Sequence, residues 1–120
     1  MIRNIQTDGE KELSHLKKLY NEFENIIKKN ILYQDISSIQ NEYFQILEWI
    51  INHNQNISKI QIKKLNSINY ELFQHIKGFN ILIQNQQDRE TIQNMIQTIL
   101  NLFKKSNSKL KDLQYEIDNY

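Results

Sequence analysis

An all-α fold, an antiparallel bundle of about four helices in one domain spanning residues 1–120, follows from three features of the sequence. The last third carries an unbroken stripe at alternating four- and three-residue spacing: Ile92, Ile96, Ile99, Phe103, Ser106, Leu110, Leu113, Ile117 and Tyr120. That period puts every member on one helix face and calls for a partner helix along its length. Three similar stripes precede it, separated by short polar runs. A chain of 120 residues is long enough to close one core over all four.

The first helix opens at Thr7-Asp8-Gly9-Glu10, a capping box in which Thr7 caps and Glu10 reaches back. Its stripe is Leu13, Leu16, Tyr20, Phe23 and Ile27, and Lys28, Lys29 and Asn30 suit its C-terminal end. The second is capped by Asp35 or Ser37. Its stripe of Ile36, Ile39, Tyr43, Ile46 and Ile50 is widened by Phe44, Leu47 and Ile51, as for a helix buried on two sides. Residues 53–56 form a polar loop, and Ser58 with Gln61 starts the third helix. The third stripe reads Leu65, Ile68, Leu72, His75 or Ile76, Phe79 and Leu82. Gly78 interrupts that helix at a cost of about 1 kcal/mol relative to alanine, which marks either a kink or the close approach of another backbone. Asp88 caps the fourth helix, and Ser106-Asn107-Ser108 is a candidate break within it.

These boundaries give helices of roughly 22, 19, 28 and 32 residues. The last two outrun the first two, so the stripe beyond Phe103 is expected either to overhang, exposed, or to fold back at Gly78 and Ser106. The candidate partner-binding residues are therefore Phe103, Leu110, Leu113, Ile117 and Tyr120, with Trp49, the only tryptophan, as a possible interface anchor.

Composition narrows the function. Alanine, valine, proline and cysteine are absent, and Ile, Asn, Lys and Gln dominate. Without cysteine there is no disulfide framework and no thiolate metal site, which suits a reducing compartment. The net charge of +1 with interspersed signs disfavours nucleic acid as the main partner. No segment has the length of a membrane span, and Met1-Ile2-Arg3-Asn4-Ile5 lacks a signal-peptide core, so a cytoplasmic chain is expected.

No catalytic, metal or cofactor site is expected. Glu12-x-x-His15 has the E-x-x-H spacing of di-iron bundle sites, but neither His53 nor His75 has an acid three residues before it to complete the pair. His75 lies four residues after Glu71, a contact pair on one helix flank. The densest basic patch, Lys104, Lys105, Lys109 and Lys111, is interleaved with Asp112, Glu116 and Asp118 and reads as a solvated flank. Two binding functions remain. One is a helical adaptor or structural subunit, joined to a protein partner or to copies of itself through the last stripe. The other is a self-contained bundle of the immunity or antitoxin kind that binds and neutralises one target.

Overall fold

The computed structural model describes residues 8–29, 33–53, 57–85 and 88–119. Four helices account for nearly all of them: α1 (Asp8–Lys28), α2 (Tyr33–Asn52), α3 (Lys59–Gln84) and α4 (Arg89–Asp118). No strand occurs among the described residues, and no helix there is long and apolar enough to cross a membrane.

Local chemistry explains most of the boundaries. Ser58 and Gln61 form the expected capping box, each side chain accepting from the other's backbone N–H. Asp88 accepts from the Thr91 N–H at 2.8 Å and starts α4. Helix α2 begins at Tyr33, two residues before the expected cap, and Asp35 sits in its first turn, where a carboxylate complements the helix dipole. Thr7, the expected cap of α1, lies outside the described residues. Neither candidate interruption breaks its helix: α3 is continuous through Gly78 and α4 through Ser106 and Asn107.

The packing is two antiparallel hairpins laid side by side. Lys17 pairs with Glu48, and Tyr20 meets Tyr43 and Phe44, so α1 and α2 run antiparallel. Lys64–Glu116 and Glu71–Lys109 set the same relation for α3 and α4. Between hairpins the directions agree. His15 lies on Phe73 and Phe23 on Phe79, making α1 parallel to α3. Asp35 and Ile39 border Gln97 and Leu100, while Glu42 pairs with Lys111, making α2 parallel to α4. Each helix thus flanks two neighbours, and α4 lies against both α2 and α3.

This arrangement removes the overhang. Helix α2 runs alongside α4 toward its C-terminal half, and the end of α1, at Asn25, Ile26 and Lys29, borders Ile83 of α3 and Ile92 near the start of α4. The two shorter helices between them cover both ends of the longest one. Helix lengths alone could not show this, because they say nothing of which helices are neighbours.

One layer differs from the rest of the apolar core. Tyr20, Tyr43, Asn69 and Phe103, one from each helix, meet at the centre. The Tyr43 hydroxyl donates to Asn69 Oδ1. The Tyr20 hydroxyl and Asn69 Nδ2 are buried with no hydrogen-bond partner among the described residues. Burial keeps both phenols protonated. It pushes Tyr20 well above the usual phenol value, with the neighbouring Tyr43 and then Glu12 adding to the shift. Burial likewise raises Tyr43, and Tyr20 partly opposes that shift.

Candidate functional site

The residues singled out as a partner seam belong to the core. Phe103 and Leu110 are 0 % exposed and Leu113 2 % exposed, while Ile117 packs half-buried against the same cluster. Tyr120 lies outside the described residues. Of the two alternatives left by the helix lengths, neither an exposed overhang at Phe103, Leu110 and Leu113 nor a fold-back is seen: α2 and α3 both flank α4. Ser106 is the stripe's polar member, buried beside Asn107.

Trp49 is also partly committed. It packs half-buried against the core and stacks on His53, with ring centroids 3.9 Å apart. The His53 Nδ1–H donates to the Trp49 carbonyl at 2.8 Å, one turn back, so the pair closes the end of α2.

The remaining polar candidates are similarly occupied. His15 lies tilted over Phe73 at 4.8 Å, and no group of three or more potential metal ligands occurs among the described residues. His75 contacts Glu71 through the backbone, its Nδ1–H donating to the Glu71 carbonyl, while the Glu71 carboxylate reaches Lys109 at 3.5 Å. Within the basic patch, Lys109 and Lys111 are answered by Glu71 and Glu42. Pairs this exposed contribute little to stability, but they reduce the local positive field.

What stays uncommitted is the outer face of α3. Ile60, Lys63, Ser67, Tyr70, Gln74, Lys77 and Ile81 repeat at alternating three- and four-residue spacing, and all seven are exposed. The face points away from the α3 core residues Leu65, Ile68, Leu72, Ile76 and Phe79. Three of its members are large apolar side chains left in water: Ile60 is 69 %, Tyr70 64 % and Ile81 50 % exposed. Sequence reasoning passed over this face because its apolar members lie ten and eleven residues apart, among lysines and amides. The signal was the repeat itself, hidden beside the denser stripe on the opposite side. Compared with protein-family models, curated proteins and solved structures, the chain matches none.

Proposed function

We propose that this chain is a self-contained, non-enzymatic helical bundle of the cytoplasm that works by binding one protein partner on its surface, in the manner of an immunity or antitoxin protein. The observation that carries this reading is the burial of Phe103, Leu110 and Leu113 within the single chain. An adaptor joined through α4 would have to keep that stripe free for another chain, which the burial of Phe103, Leu110 and Leu113 argues against. With α4 committed, recognition falls to the surface, and the outer face of α3 is the most apolar stretch that a helix turns to solvent.

Two measurements test the reading together. Light scattering is expected to give a 14.6 kDa monomer at all concentrations. A photoreactive residue at Tyr70 or Tyr115, both exposed, is expected to crosslink a distinct protein in the cells that produce the chain. A concentration-dependent dimer, or crosslinks only between copies of the chain, refutes the reading and returns the subunit alternative.

A further inference from the structure

We infer that the outer face of α3 docks an acidic amphipathic helix of the partner protein, with Gly78 as the point where the two backbones come closest. The inference rests on the protein-binding function proposed above and adds the chemistry of the partner. Gly78 is the first support. Helix α3 is continuous through it, and a Cβ built there meets nothing within 4 Å. No break in the helix, left-handed backbone angle or neighbouring element among the described residues needs a glycine at this position, although it weakens the helix. Gly78 follows Lys77 and precedes Ile81 by three residues, which puts it on the flank of the exposed face. A side chain missing beside an exposed face leaves room for a backbone from outside.

Charge is the second support. Lys59, Lys63 and Lys77 share this side of α3, and none of them is in an ion pair among the described residues. The only acid of α3, Glu71, is turned toward Lys109. The face therefore carries unpaired lysines at both ends, Lys59 and Lys63 beside Ile60 and Lys77 toward Ile81, within a chain whose net charge is +1. A second copy would set lysine against lysine, whereas acidic flanks would complement it.

Shape is the third support. From Ile60 to Ile81 the face spans about 32 Å at 1.5 Å per residue, and its alternating spacing suits a helix lying along it. Ser67 and Gln74 separate the apolar members, so the face offers no continuous apolar strip to sink into a lipid surface. Its lysines lie at the two ends, with Ser67, Tyr70 and Gln74 between them, which makes a poor phosphate track.

The full chain can be titrated with a synthetic amphipathic helix carrying Leu and Ala on its seam and Glu on both flanks, and with its Lys-flanked counterpart. Calorimetry would measure affinity and amide NMR would map the contact. The Glu-flanked helix is expected to shift resonances along 60–81, and the Lys-flanked helix to bind at least about tenfold more weakly. The pair K63E and K77E should reverse that preference. Gly78→Ala should raise the melting temperature of the free chain while weakening the helix about tenfold or more, a combination that a merely structural glycine would not produce. Equal binding of both helices, no binding of either, shifts on another face, or unchanged affinity in Gly78→Ala overturns the inference. Binding of phosphatidylserine vesicles or duplex DNA to 60–81 in place of the helix overturns it as well. Protein crosslinks from Tyr115 but none from Tyr70 would reject the α3 face while leaving the protein-binding function standing.

Discussion

Leu110→Ala asks whether the distal half of the α4 stripe stabilises the isolated chain. Leu110 is fully buried within the core cluster, so truncation leaves a cavity and costs about 2–5 kcal/mol. At about 2.1 cal/mol/K per residue, a chain of 120 residues unfolds with an entropy near 0.25 kcal/mol/K. The melting temperature should therefore fall by about 8–20 °C. Tyr115→Ala, on the same helix but exposed, serves as the control and should change stability by no more than about 0.5 kcal/mol. The assay is thermal and urea denaturation followed by circular dichroism, run at two widely separated protein concentrations. For a self-contained bundle the midpoints do not move with concentration, whereas a shared seam is stabilised by mass action. A loss below about 1 kcal/mol for Leu110→Ala, or a wild-type midpoint that rises with concentration, would refute the reasoning.

Two further perturbations probe polar groups that the fold depends on. Tyr43→Phe removes the donor to Asn69 and should cost about 1–3 kcal/mol in urea denaturation, with part recovered in the double variant carrying Asn69→Leu. Because burial raises both phenols above the usual value of 10.0, their contribution is fully present below that value and is lost as pH climbs above it toward their raised folded values. Tyr43→Phe should accordingly flatten the alkaline loss of stability, and an unchanged slope would count against the burial argument. At the other extreme, the Thr91 N–H holds the Asp88 carboxyl below its ordinary value of 3.8. Asp88→Ala should lower the melting temperature at neutral pH, and the gap from wild type should close as acid protonates Asp88.

Much of this molecule was legible in the residues. The periodicity of the four stripes set the helices, and the Ser58–Gln61 and Asp88 caps set two of the starts, because hydrogen bonds between residues three apart are local. Local signals misled at Ser106 and Gly78. Each residue weakens a lone helix, yet tertiary packing keeps both helices continuous, with Ser106 itself buried. Asn69 was likewise unmarked, since its role depends on a tyrosine from the helix diagonally opposite.

Sequence by itself determined the secondary structure, the single core and most of its members, since these follow from spacing along one chain. Only the tertiary structure decided which helices are neighbours. By laying α2 parallel to α4 it buried Leu110 and Leu113, turning a candidate interface into core. The same packing left Ile60, Tyr70 and Ile81 in water on α3. A helix can carry an apolar repeat on two faces, and which one becomes core depends on contacts between residues far apart in sequence.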